Sequence, residues 1–201
     1  MIGKKGPKML SSLLHRRETL ILTAIEIINE KGFGGLSTRE LAKKEGVSES
    51  AIFKHFKSKN DLIMAILEYF SQYDKAIMRS IENNKLDPVD SIYMFIDSFI
   101  SYYENYPEIT AIFNSYESLV SNDDFKQKIK ETFFERNNFL NSLIKDAIEK
   151  NRISLDIDSE QLTDIIYGTL RGVIYKWRLL DYQFSLKSYF MKILKSILKA
   201  F

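Results

Sequence analysis

Along most of the chain the apolar residues recur at three- and four-residue intervals, the period of a helix with one buried face. Leu20, Ala24, Ile27 and Ile28 fall at i, i+4, i+7 and i+8, and Gly32 follows where a helix ends in a glycine. Ser37 with Glu40 has the S-x-x-E spacing of a capping box, which predicts a second helix beginning there. Gly46 ends that short helix, and Ser48 is placed to cap a third over about residues 49–56. Ser58 with Asp61 repeats the capping pattern ahead of a long fourth helix. Asp87-Pro88 reads as an N-cap followed by proline at the first helical position. Pro107 closes the helix holding Phe99 and Tyr102 and opens the next. Asn122 caps a helix running towards Lys150, Asp158 with Gln161 begins another, and Ser185 the last. The pattern predicts an all-α fold of about nine helices with no sheet.

The third helix is too short to be stable alone. Ile52 and Phe56 lie four apart and are expected to anchor it inward, leaving Glu49, Ser50, Phe53 and Lys54 outside. Two short helices joined by a Gly-containing turn suit a helix-turn-helix, whose second helix presents its N-terminal residues to base edges. Ser50 donates or accepts, Lys54 reaches a guanine edge or a phosphate, and Ala51 and Phe53 suit apolar contact with a thymine methyl. Ser48 and Glu49 open the helix, and Glu49 is expected to serve only the helix dipole. His55 and Lys59 end the segment, where phosphate contacts fix register. Thr38 and Arg39 lie at the start of the second helix, whose amides favour a phosphate. Each has a plainer reading, as a solvated charge or a packing residue, so the case rests on the constellation.

Charge strengthens it. The net charge of +2 divides unevenly: residues 1–66 hold 12 basic against 7 acidic residues, the remainder 17 against 20. A basic head on a mildly acidic body suits a polyanionic partner. Composition otherwise describes an ordinary globular chain of 201 residues. Cysteine is absent, which excludes disulfides, Cys-based zinc sites and thiol catalysis. No apolar run approaches a membrane span and no signal-peptide core follows the basic N-terminus, so a cytoplasmic location is expected. With two histidines, both in the head, and no H-E-x-x-H, G-x-S-x-G or phosphate loop, neither catalysis nor a metal or cofactor is expected.

Residues 20–66 resemble the DNA-binding domain of the TetR family of transcriptional regulators. The resemblance is carried by Gly32-Phe33, Thr38 with Leu41-Ala42, Gly46-Val47-Ser48, Phe53-Lys54-His55-Phe56, and Lys59, spaced without a gap. One position departs: the family usually has tyrosine where this chain has Phe53, which removes a phosphate hydrogen bond. The resemblance implies a DNA-binding head at 1–62 and an effector-binding, dimerising bundle at 63–201, meeting within the fourth helix. It also implies double-stranded operator DNA, a second copy of the chain and a small-molecule effector as partners. A repressor is the leading expectation, with an activator or an architectural protein as the alternative. Lys4, Lys5, Lys8, Arg16 and Arg17 add a basic arm that either tracks the DNA backbone or stays solvated.

The body carries its own signals. In residues 159–180 the apolar groups nearly encircle the helix, as suits burial on more than one side. Ile165, Gly168, Gly172 and Trp177 there, with Phe190 and Leu194 on the last helix, are the expected dimer contacts, against an intramolecular core. Of 26 aromatic residues, 23 lie beyond residue 66. Phe99, Tyr102, Tyr103, Phe113, Tyr116 and Tyr167 are expected to line an apolar pocket, though each taken singly suits a core better. Arg171, inside the most apolar helix, either pairs with Glu117 or Asp164 or meets an anionic effector head. A fatty-acyl or amphipathic aromatic effector would suit such a pocket.

Overall fold

A computed structural model describes residues 7–154 and 156–201, with side chains from Arg16 onward. The described residues form ten helices and no strand. Helix α1 spans Pro7–Gly35 and is interrupted at Gly32, whose φ of 68° no ordinary residue adopts cheaply. Helices α2 (Thr38–Glu45) and α3 (Glu49–Phe53) follow, then α4 (Lys59–Asn84) and α5 (Pro88–Asn105). The segment after Pro107 breaks into α6 (Ile109–Asn114) and α7 (Tyr116–Leu119), which accounts for ten helices rather than nine. The chain closes with α8 (Asp123–Glu149), α9 (Ser159–Leu179) and α10 (Leu186–Ala200).

Most starts follow the capping chemistry. Ser37 accepts from the Glu40 amide at 3.0 Å and Ser58 from the Asp61 amide at 3.1 Å. Asp87, Asn122, Asp158 and Ser185 cap α5, α8, α9 and α10 in the same way. Ser48 is the exception: it holds the N-cap position of α3, but its hydroxyl pairs with that of Ser50 at 2.9 Å and caps nothing.

The chain forms two compact units that divide within α4, between Tyr69 and Phe70. In the first unit, Leu20, Ile21, Ala24, Ile25, Ile27 and Ile28 of α1 meet Leu41 of α2, Ile52 of α3 and Phe56, all buried. In the second, α5, α8, α9 and α10 pack in a closed ring, each against two others, and α6 and α7 lie against α9 and α8. Trp177, Phe190 and Leu194 are buried within this ring. The Trp177 indole donates to the Phe184 carbonyl at 2.7 Å and meets the Tyr182 ring edge to face, fixing the α9–α10 turn. These three residues therefore belong to the protomer's own core, not to an interface. No described helix is long and apolar enough to cross a membrane.

Candidate functional site

The head is assembled around the α2–α3 turn. Gly46 takes the left-handed conformation (φ 64°, ψ 30°), and the Val47 amide turns back to the Ala42 carbonyl at 3.0 Å. The Thr38 hydroxyl donates to Glu49 Oε1 at 2.6 Å, tying the start of α2 to the start of α3. Glu49 thus has a partner beyond the helix dipole and holds the two helix starts together. Arg39, Ser48, Glu49, Ser50, Phe53 and Lys54 are exposed, and Thr38, Ala51, His55 and Lys59 half-buried. Phe53 is an outward residue at 48 % exposure, not core.

Three expected contacts prove to have structural work. Lys59 Nζ donates to the Phe33 carbonyl at 2.7 Å, so it closes the loop after α1 as well as lying at the start of α4. Arg16 pairs with Glu45 at 2.8 Å, and the Arg17 guanidinium lies 5.1 Å over the Phe56 ring. Those two arginines are helical residues of α1 braced against the head. Lys4, Lys5 and Lys8 lie outside the described side chains. Burial, with Arg16, Arg17 and Lys54 nearby, holds His55 below its ordinary value of 6.5, so it is neutral at pH 7.

The second unit encloses a cavity of about 690 Å³. Of the expected pocket residues, Phe113, Tyr116, Tyr167 and Arg171 line it. Phe99, Tyr102 and Tyr103 do not. Phe99 and Tyr103 are buried behind it, and Tyr102 stacks on Tyr73 with ring centroids 3.8 Å apart. Arg171 is exposed, and among the described residues no acid lies within ion-pair distance of it. The expected partners Glu117 and Asp164 instead share the same cavity wall.

The buried cation is Arg136 of α8. Its Nε and Nη2 make a bidentate pair with Asp74 of α4 at 2.6–2.9 Å, its Nη1 donates to the Tyr103 hydroxyl at 3.0 Å, and it lies 4.5 Å over the Phe99 ring. The Tyr167 hydroxyl donates to the Arg136 carbonyl at 3.2 Å. Burial raises Asp74 from its ordinary value, with Arg136 pulling it back, and burial raises Tyr116 and Tyr167, which stay neutral phenols. The signal for this pair was available. Arg136 continues the buried stripe Phe125, Ile129, Thr132, Leu140, Ile144, and Asp74 continues Ile66, Phe70, Ile77, Ile81. Two opposite charges in apolar stripes call for each other.

The comparisons with known proteins agree with this architecture. Residues 20–66 match bacterial regulatory proteins of the tetR family, and residues 66–200 match the C-terminal region of YsiA-like proteins. The chain belongs to the TetR family, whose members are helix-turn-helix, DNA-binding transcription regulators. Its relatives include the nucleoid occlusion factor SlmA of Vibrio cholerae, 21 % identical over 85 % of this chain and 88 % of that protein. Similar solved structures include the ketosteroid transcriptional regulator KstR2 of Mycobacterium tuberculosis, with a TM-score of 0.80, 18 % identity and coverage of 92 % and 94 %. Another is the transcriptional regulator FadR of Bacillus subtilis in complex with stearoyl-CoA, with a TM-score of 0.74, 20 % identity and coverage of 92 % and 99 %. At these identities the likeness is one of fold.

Proposed function

We propose that the protein is a homodimeric transcriptional repressor that binds a palindromic operator through its α2–α3 heads and releases it when a small amphipathic effector occupies the cavity of the second unit. The observation that carries this is the cavity itself. Its volume of about 690 Å³ suits a small molecule, and α4, which contributes Asp74 beside it, also contributes Lys59 and buried residues to the head unit. In the head, Ser50, Ala51, Phe53 and Lys54 read bases. Thr38, Arg39, Ser48, His55 and Lys59 hold phosphates, and Glu49 positions Thr38. Occupancy acts by binding one of two states better, so effector and operator weaken each other reciprocally.

The dimer uses the outer stripe of α9: Ile165, Gly168, Gly172, Tyr175 and Leu179. They share one helix face, and Tyr175 and Leu179 are 59 % and 65 % exposed in the single chain. Tyr189 and the half-buried Ile193 and Ile197 of α10 flank it. The ketosteroid regulator and the stearoyl-CoA complex among the similar structures favour an apolar effector with a polar end.

Purified protein incubated with a randomised duplex pool should enrich a palindrome with half-sites centred about one helical turn, ~34–36 Å, apart. Long-chain fatty acids or their coenzyme A thioesters should then release the enriched duplex. Failure to enrich any palindrome overturns the operator reading. Enrichment without release by any amphipathic ligand favours an effector-independent DNA-binding role.

A further inference from the structure

The cavity's polarity runs opposite to that of a tail-first lipid pocket. Its buried end is polar and its open end carries uncovered phenyl rings. At the buried end lie Arg136, 8 % exposed, and the phenols of Tyr116 and Tyr167. Among the described residues the Tyr116 hydroxyl has no hydrogen-bond partner. At the open end Phe133 and Phe134, 46 % and 54 % exposed, form an edge-to-face pair with centroids 5.5 Å apart. Two acids, Glu117 and Asp164, and two bases, Lys130 and Arg171, also stand there, and they leave the mouth no net charge to hold an anion.

We propose that the cavity takes an amphipathic monocarboxylate head first, that the carboxylate replaces Asp74 on Arg136, and that the displaced Asp74 carries the signal into α4. This rests on the reading of the cavity as the effector site. The geometry supplies each step. Arg136 lines the cavity, and all three of its guanidinium nitrogens are engaged, Nε and Nη2 by Asp74 and Nη1 by the Tyr103 hydroxyl, so a carboxylate entering from the cavity that takes the bidentate grip displaces Asp74 from it. The Tyr116 hydroxyl stands ready to donate a second hydrogen bond to the incoming oxygen. An apolar tail then lies along Phe113, Val120 and Ile129 and covers Phe133 and Phe134 at the mouth.

Asp74 is 2 % exposed in its pair with Arg136, so displacement leaves it on buried ground without its countercharge unless it neutralises. The other charged or titratable groups near it are Glu135 and Lys128 of α8, Tyr103 of α5, Tyr116 of α7 and Tyr167 of α9. Burial already raises the Asp74 carboxyl and Arg136 pulls it back, so losing Arg136 raises it further and favours proton uptake. The exchange is balanced: one ligand carboxylate and one solvent proton enter, Arg136 keeps one carboxylate partner, and Asp74 becomes a neutral acid. An acyl thioester, which lacks the carboxylate, cannot make this exchange.

The test uses calorimetric titration of the full chain with dodecanoate, methyl dodecanoate and dodecanoyl-coenzyme A, in two buffers of different ionisation enthalpy. Dodecanoate should bind about tenfold or more tighter than its methyl ester, the worth of one charged hydrogen bond. It should take up protons on binding, its affinity rising as pH falls from 8 to 7. In Asp74→Asn that proton uptake should vanish and dodecanoate should bind tighter still. Filling the cavity with Asn137→Trp should abolish binding of every probe. If probes bind equally well to Asn137→Trp, the cavity reading itself fails. If binding is lost in Asn137→Trp, yet acid, ester and thioester bind alike without proton uptake in the wild type, the cavity stands and the head-first exchange is overturned. Absence of dodecanoate binding also overturns it. The wild-type comparison decides the matter even if Asp74→Asn fails to fold.

Discussion

Arg136 and Asp74 are 62 residues apart in sequence and joined by two short parallel hydrogen bonds, the buried ion pair of the second unit. Removing one partner strands the other charge out of water, and such a loss costs about 3–5 kcal/mol. Asp74→Ala should therefore lower the calorimetric Tm by on the order of 10 °C. Replacing both, as Asp74→Leu with Arg136→Met, removes the stranded charge and should restore most of that loss. A double variant no more stable than the single one would show that the pair is not acting as a pair.

The same two residues mark the limit of what was legible in the sequence. Helix starts at Ser37, Ser58, Asp87, Asn122, Asp158 and Ser185 were readable because capping is local chemistry. The head was readable because its residues are contiguous and its anchors, Ile52 and Phe56, follow helical spacing. Trp177, Phe190 and Leu194 misled because an all-round apolar helix looks the same whether a neighbouring helix or a second copy covers it. Arg171 drew attention by sitting among apolar residues, yet it faces outward. Arg136 was masked by a polar neighbourhood in sequence, Glu135 and Asn137, although its helical face is apolar. Which helices meet is a tertiary fact, and the cavity depends on it.

Gly46 and Gly172 should answer the same substitution with opposite signs. At neither position would an added Cβ meet another atom within 4 Å, so sterics do not decide. Gly46 has φ +64°, where a side chain costs about 1–2 kcal/mol. Gly172 lies inside α9 with no such constraint, and alanine there should gain about 0.5–1 kcal/mol in a monomeric background. Chemical denaturation of Gly46→Ala and Gly172→Ala, at concentrations below self-association, reads both signs.

His55 should make operator binding depend on pH. In the free protein burial and the nearby cations lower its value, so the folded state binds fewer protons than the unfolded one. Its contribution to stability is complete above about 6.5 and falls away as pH drops through the lowered value. Against a phosphate the sign reverses, because the anion favours imidazolium. Operator affinity should rise as pH falls from 8 to 6, with net proton uptake on binding, and His55→Gln should flatten that dependence. A wild-type affinity that does not change with pH would remove His55 from the phosphate contacts.

Lys54 and Lys59 separate contact from support. Lys54 is exposed, so Lys54→Ala should leave the Tm unchanged and weaken operator binding by about 1–3 kcal/mol, relaxing the preference at the base it reads. Lys59 already donates to the Phe33 carbonyl, so Lys59→Ala should lower head stability by about 1.5–3 kcal/mol. An unchanged salt slope in Lys59→Ala would assign it to the loop alone.

The α9 face predicts its own disruption. Gly168 and Gly172 are four apart on one face, and in a single chain nothing stands near where their side chains would be. If a second α9 packs there, the glycines let the two backbones approach closely, and a leucine would hold them apart. Gly172→Leu should leave the helix content and the monomer's fold intact, since the site is open. It should weaken self-association by more than about tenfold in sedimentation equilibrium, given the ~1.4 kcal/mol that a tenfold change represents. Operator binding should weaken with it, because two half-sites are then no longer held by one linked pair of heads. Trp177, Phe190 and Leu194 give the control. They are buried in the protomer, so substituting them should lower stability first and association only as a consequence. A Gly172→Leu variant that sediments as the wild type does would move the interface off this face.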